Sequence, residues 1–214
     1  MKPPVKAFLF DLDGTLLDTM AGLAESVNYA LRTRGERTWS VDEVRSFVGN
    51  GARLLVARAA AGGEFRPDFD DLLSDFRSHY AQHAAEGALP YDGIQKLISS
   101  LKANGAALGV VTNKDEDVAR SLVARFFPGS FSFVAGGNAW RPPKPDPAAP
   151  LAALKALGAK ASETLYIGDS EVDAATASGA GLPFVLCSWG FRPREALEPL
   201  GKVVDSPEDL LSWR

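Results

Sequence analysis

Asp11 and Asp13 stand two residues apart where the apolar run Ala7 to Phe10 ends, and Gly14 follows them. Parallel strands present their C-terminal ends to a crevice where ligands bind, and a glycine there lets backbone N–H groups converge on an anion. Acids clustered at such an edge imply a cation. Mg2+ suits them, because it prefers oxygen ligands and binds through one or two carboxylates plus substrate phosphate. Thr112 and Asn113 follow the apolar run Ala107 to Val111, and Lys144 lies in the proline-rich segment Arg141 to Pro147. Asp169 and Asp173 follow another short apolar run, Thr164 to Ile167. A phosphoryl group moving between two oxygens needs its charge balanced throughout, and a divalent cation, an ammonium and hydroxyl or backbone donors together do that. Taken singly, each residue has an ordinary reading: aspartates cap helices and turns, Thr112 and Asn113 can end a strand, and a loop lysine is usually solvated. Their shared place at strand ends is what sets them apart.

The elements that must carry these residues are legible from periodicity. Short buried strands are expected at Val5 to Phe10, Ala107 to Val111, Thr164 to Ile167 and Pro183 to Cys187. Helices are expected at Ile94 to Asn104, Asp117 to Phe126, Pro147 to Leu157 and Val172 to Ala180. Alternating strand and helix predicts an α/β, Rossmann-like parallel sheet with right-handed crossovers. The stretch from about Ala21 to Glu86 shows helical faces only, at Leu23/Val27/Ala30/Leu31, Val44/Phe47/Val48, Leu54/Leu55/Arg58 and Leu72/Leu73/Phe76/Tyr80. It predicts an inserted small helical bundle over residues 19–87, with the core domain formed by 1–18 and 88–214. Gly87, Pro90 and Gly93 mark the return to the sheet.

With these four motifs in order, the chain resembles the haloacid dehalogenase-like hydrolase superfamily across its whole length. The resemblance implies that Asp11 is a nucleophile that becomes phosphorylated, and that Asp13 is the acid/base for the leaving group and the attacking water. It implies that Thr112 binds the transferring phosphoryl group, that Gly14 and Asn113 bind substrate beside it, and that Lys144 holds Asp11 and the phosphoryl oxygens. Mg2+ would be bound by Asp11, the Asp13 carbonyl and Asp169, with Asp173 behind them near Lys144. The helical insert looks like the cap of that family. Its segment Phe47-Val48-Gly49-Asn50-Gly51-Ala52-Arg53, with Tyr91-Asp92-Gly93 and Ser188-Trp189-Gly190-Phe191, resembles the phosphoglycolate phosphatase group. Asn50, Gly51 and Arg53 are the cap residues this implies for a substrate carboxylate. A small phosphorylated metabolite is the expected partner. Other esters (a sugar phosphate, a nucleotide monophosphate, pyrophosphate), a phosphosugar mutase and a non-catalytic phosphometabolite-binding protein are the competing readings. Dehalogenation is disfavoured, having no use for Asp13 or a metal.

Composition narrows the field further. A net charge of -4 with scattered basic residues argues against a nucleic-acid partner. The N-terminal apolar run is too short for a signal or membrane segment, so the expected location is the cytoplasm. Cys187 is the sole cysteine, which excludes an internal disulfide and predicts a buried thiol. His79 and His83 lie one helical turn apart without a third metal-ligand pattern, and the four tryptophans read as packing or edge residues.

Overall fold

The computed structural model describes residues 5–213. Its contacts divide the chain into two compact units, one of Asp18–Leu89 and the other of the residues up to Leu17 together with those from Pro90 onward. The sequence reading placed the insert at 19–87.

The larger unit is built on a six-stranded parallel sheet. In chain order its strands are β1 (Ala7–Phe10), β4 (Ala107–Asp115), β5 (Phe133–Gly137), β6 (Thr164–Gly168), β7 (Phe184–Cys187) and β8 (Val203–Val204), while the two-residue strands β2 (Leu17–Asp18) and β3 (Leu89–Pro90) mark the two chain crossings. The sheet order is β5-β4-β1-β6-β7-β8. Helices α5 (Ile94–Ala103), α6 (Glu116–Phe126), α7 (Ala148–Leu157), α8 (Glu171–Gly179) and the short α9 (Arg194–Leu197) connect the strands. Every residue of β1 is buried, as expected of a central strand covered on both faces. Leu9 joins Val111, Ala135, Ala149, Ala153 and Tyr166 in one apolar cluster. The register sets Phe10 level with Val110 on one side and Ile167 on the other, so the chain positions that follow all emerge at one edge.

Two strands of this sheet lay outside the sequence reading. β8 is only two residues long. β5 ends in Gly136-Gly137, residues that disfavour strands in isolation. A Cβ on Gly136 would fall 2.5 Å from Glu116 Cα and 2.6 Å from the Lys114 carbonyl oxygen, so the close approach of β5 to β4 requires glycine there. β4 also runs on to Asp115, taking in Thr112 and Asn113, which the sequence reading placed in a loop after Val111. The β4–β5 register shifts between Val111 and Asp115, and this irregularity lets the strand continue.

The second unit holds α1 (Met20–Arg32), α2 (Val41–Arg45), α3 (Ala52–Ala59) and α4 (Phe69–His83). α1 packs on α4, and beyond the end of α4 a Cβ on Gly87 would meet the Gly22 backbone nitrogen at 2.6 Å. α2 opens on a capping box, with Ser40 accepting from the Glu43 N–H and the Glu43 carboxylate accepting from the Ser40 N–H. It ends at Arg45, so Phe47 and Val48 lie beyond it. On α3 the buried face is Leu55, Val56 and Ala59; Leu54 and Arg58, expected on that face, point outward.

Leu9 is fully buried at the centre of the sheet. Leu9→Ala should lower unfolding stability by about 2–5 kcal/mol, measured by urea denaturation, through lost burial and a residual cavity. A loss below about 1 kcal/mol would mean the sheet centre is not close-packed.

Candidate active site

The strand register explains why distant residues meet. Asp11 comes directly after Phe10, Thr112 lies two positions beyond Val110 on β4, and Asp169 follows the last residue of β6. Since β4, β1 and β6 are parallel neighbours, these residues share the C-terminal edge of the sheet. Lys144 reaches the same place from the loop between β5 and α7. Its segment is held by Asn113, whose side-chain carbonyl accepts from the Lys144 N–H at 2.7 Å and whose amide donates to the Lys144 carbonyl at 3.1 Å. Asn113, expected to bind substrate, thus serves the Lys144 backbone as a strut.

The Lys144 ammonium is almost wholly enclosed. It lies 3.0 Å from Asp11 Oδ1 and 2.7 Å from Asp173 Oδ1, with the Tyr166 hydroxyl at 3.4 Å. Asp173 is fully buried at the start of α8, and its Oδ2 accepts from the Ser170 hydroxyl at 2.6 Å and the Asp169 N–H at 3.2 Å. Asp169 Oδ2 accepts from the Phe191 N–H at 2.7 Å. Asp11 Oδ1 accepts from the Leu12 N–H at 2.7 Å as well as facing Lys144, which leaves Oδ2 for another partner. Carboxylate oxygens of Asp11, Asp169 and Asp173 all lie within 4.8 Å of one another, a group able to hold a metal ion.

Glycines make room for these acids. A Cβ on Gly14, where φ is +81°, would fall 2.2 Å from Asp169 Oδ2. A Cβ on Gly168 would fall 2.2 Å from the Asp173 carboxyl carbon, and one on Gly190 would meet Asp169 Cβ at 2.4 Å. Gly14 therefore packs its backbone against a proposed metal ligand. The Cys187 thiol, wholly buried as expected, faces the Gly14 carbonyl at 3.7 Å, and burial pushes its pKa well up, which keeps it a protonated packing group.

Asp13 points elsewhere. Both of its carboxylate oxygens accept from the ammonium of Lys114, at 2.8 and 3.0 Å. Lys114 was missed in the sequence because a strand-end lysine normally reads as solvated. The available signal was alternation: positions 112 and 114 of a strand share a face. Thr112, itself buried, accepts the Lys114 N–H through its hydroxyl at 3.3 Å. Tyr166 was likewise unremarked, although a tyrosine between Leu165 and Ile167 in a buried strand must direct its hydroxyl to a polar partner.

In the helical unit, Gly51 with φ of +86° opens α3, while the Asn50 side chain accepts from Arg58 at 2.9 Å. Arg53 is half-exposed, 3.5 Å from Glu64 and 3.3 Å from Asp70, with its guanidinium over the Phe69 ring. His79 and His83 have ring centroids 4.5 Å apart, and their Nδ1 atoms meet Ser26 and Glu86. Among the described residues no third metal-ligating group joins them.

Burial governs the electrostatics of the site. It raises the Asp11 pKa from 3.8 to about 7, against the pull of Lys144 and with help from Asp173 and Asp13. Asp169 is pushed well up for the same first reason, with Asp173 and Asp11 adding to it. Lys144 remains charged despite its burial, since Asp11 and Asp173 more than offset the desolvation. The folded-state pKa of Asp11 lies above its unfolded value, so its contribution to stability is complete below 3.8 and is lost as pH rises through about 7. In chelator, Asp11→Asn should therefore flatten the stability profile between about pH 4 and about pH 7 and be the more stable protein above it. Urea denaturation of both proteins across that range is the check, and parallel profiles would refute the burial account.

The model of the haloacid dehalogenase-like hydrolase family matches residues 8–187. The phosphoglycolate phosphatase of Rhodospirillum rubrum is 40% identical over 97% of this chain and 90% of its own length. That of Rhodobacter capsulatus is 37% identical over 93% and 92%. A crystal structure of a phosphoglycolate phosphatase candidate from Lactobacillus delbrueckii subsp. bulgaricus superposes with a TM-score of 0.91 at 33% identity, covering 97% of each chain. CbbY from Rhodobacter sphaeroides, solved in complex with phosphate, superposes with a TM-score of 0.82 at 25% identity over 96% of each chain. With these likenesses spanning nearly its whole length, the chain belongs to the haloacid dehalogenase-like hydrolase family.

Proposed function

We propose that the chain is a Mg2+-dependent phosphatase that hydrolyses a small phosphate monoester, 2-phosphoglycolate first among the candidates, through a phosphoaspartate on Asp11. The observation that carries this reading is the Asp11–Lys144–Asp173 cluster with Asp169 beside it, an excess of buried carboxylate around one ammonium. Such a cluster suits a divalent cation, because burial first and the neighbouring carboxylates second disfavour the charged forms of Asp11 and Asp169, and a bound cation would offset both. Asp11, Asp169 and the Asp13 carbonyl would hold Mg2+, which when bound supplies positive charge to the phosphoryl oxygens.

The chain's own groups do the rest. Asp11 Oδ1 is occupied by Lys144 and the Leu12 N–H, so Oδ2 is the oxygen that attacks phosphorus. As the Asp11–phosphorus bond forms, the ester P–O bond breaks and Asp13 gives a proton to the leaving oxygen. Asp13 then takes a proton from water as that water bonds to phosphorus, and Asp11 is released. Thr112 would bind the transferring group, with the Gly14 turn beside it. Asp173 keeps Lys144 in place, with Ser170 and Tyr166 fixing Asp173 in turn. The substrate assignment rests on the relatives named phosphoglycolate phosphatase. In this reading the helical unit is the cap, and selecting the ester falls to it.

Phosphate release from a panel of esters, with Mg2+ and with chelator, tests both levels. The expected result is the highest kcat/KM for 2-phosphoglycolate and loss of turnover in chelator that Mg2+ restores. Slow, equal turnover of every ester would reject the substrate, and isomerised sugar phosphate in place of free phosphate would mark a mutase. Asp11→Asn should cost about a thousandfold or more in kcat; unchanged turnover would end the covalent reading. Gly190→Ala should displace Asp169 and raise the Mg2+ concentration for half-maximal rate by about tenfold or more, whereas an unaltered requirement would remove Asp169 from the metal site.

A further inference from the structure

Lys114 is the second buried ammonium at this edge, and the roles above give it no task. Its side chain is 4% exposed, and it reaches from β4 to Asp13, itself 15% exposed. Burying an ammonium costs several kcal/mol unless it is paired and hydrogen-bonded in good geometry, and the two bonds to Asp13 meet that condition. The backbone beneath it is built to fit. The Lys114 N–H donates to the Thr112 hydroxyl, and Gly136 lets β5 close on the Lys114 carbonyl where any side chain would collide. Lys144 meanwhile is committed to Asp11 and Asp173. Each of the two acids of the Asp11-Leu12-Asp13 motif thus has its own ammonium, presented from a different part of the chain.

We propose that Lys114 is a positioning residue for Asp13, clamping both of its carboxylate oxygens so that the side chain is aimed for the breakdown of the phosphoenzyme. The inference rests on the phosphatase reading above. An aspartate three residues past a strand end can rotate about χ1 and χ2, and a two-point clamp removes that freedom before water arrives. In the second half-reaction the water oxygen bonds to phosphorus, the Asp11–phosphorus bond breaks and the water's proton passes to Asp13. Each of these depends on where Asp13 points. The first half-reaction depends on it less when the leaving group is an aryl oxide, which departs with little help from an acid.

The test compares wild type, Lys114→Met and Lys114→Arg with Mg2+, using 32P-labelled p-nitrophenyl phosphate. Steady-state rates are read alongside phosphoenzyme trapped by acid quench. Lys114→Met should lose about tenfold to a hundredfold in kcat with KM falling in step, so that kcat/KM stays within about twofold, and should accumulate label on Asp11 to near one equivalent. Lys114→Arg, which retains a two-pronged donor, should recover part of the rate. If Lys114→Met does not fold, Lys114→Gln carries the same comparison. Wild-type kcat in the variant, or a fall in rate with less trapped label and a risen KM, would overturn the positioning role while leaving the phosphatase reading intact. Wild-type protein that turns over no ester, or never becomes labelled on Asp11, would overturn both.

Discussion

Three carboxylates drawn out of water to within 4.8 Å of one another, around a single enclosed ammonium, are the constraint on which the site depends. A buried ion pair is weak evidence for stability, since desolvation offsets most of the attraction. Here the excess negative charge makes the cost plainer still, and burial raises the pKa of both Asp11 and Asp169. A structure that keeps such an arrangement is organised for a ligand. The arrangement is also incomplete by itself, because one lysine balances one of three acids. A divalent cation has the charge that would complete it.

The scaffold meets this constraint with backbone as well as with side chains. The N–H groups of Leu12, Asp169 and Phe191 donate to the buried carboxylates, and they cannot rotate away as side chains can. Gly14, Gly168 and Gly190 lie so close to Asp169 and Asp173 that a single methyl group would overlap them. Parallel strands then deliver Asp11, Thr112 and Asp169 to one edge, although long stretches of chain separate them. Preorganisation of this kind is what electrostatic catalysis requires, because the donors are in place before charge develops.

The strands carrying Asp11 and Asp169 were legible in the sequence because central parallel strands are uniformly apolar and stop abruptly at their functional residues. The helical character of 19–87 was legible from apolar spacing, although Phe47 and Val48 lie beyond α2 and Leu54 and Arg58 point outward. β5 was not, since its closing glycines answer to Glu116 and Lys114, contacts made across the sheet that no local pattern contains. Lys114 escaped for a related reason. Its burial depends on Asp13, far away in the chain, and propensity treats a lysine at a strand end as solvent-facing. Asn113 was assigned by motif to the substrate, while its side chain holds the Lys144 backbone, a distinction set by the loop conformation.

Substrate selection is the least legible property, and the reason is energetic. Lys144 cannot trade partners cheaply, because separating a buried pair leaves a charge unmatched at a cost of about 3–5 kcal/mol. Arg53 is in the opposite position. It is half-exposed and its partners Glu64 and Asp70 are largely in water, where such pairs are worth about 0–1 kcal/mol. It can therefore exchange those partners for the carboxylate of a ligand with little penalty, and the Phe69 ring beneath its guanidinium would still support it. Residues bound so weakly to their own fold leave small traces in stability and none in periodicity. In the proposed reading, chemistry would rest on buried pairs that the fold cannot exchange cheaply, and selectivity on exposed ones that it can.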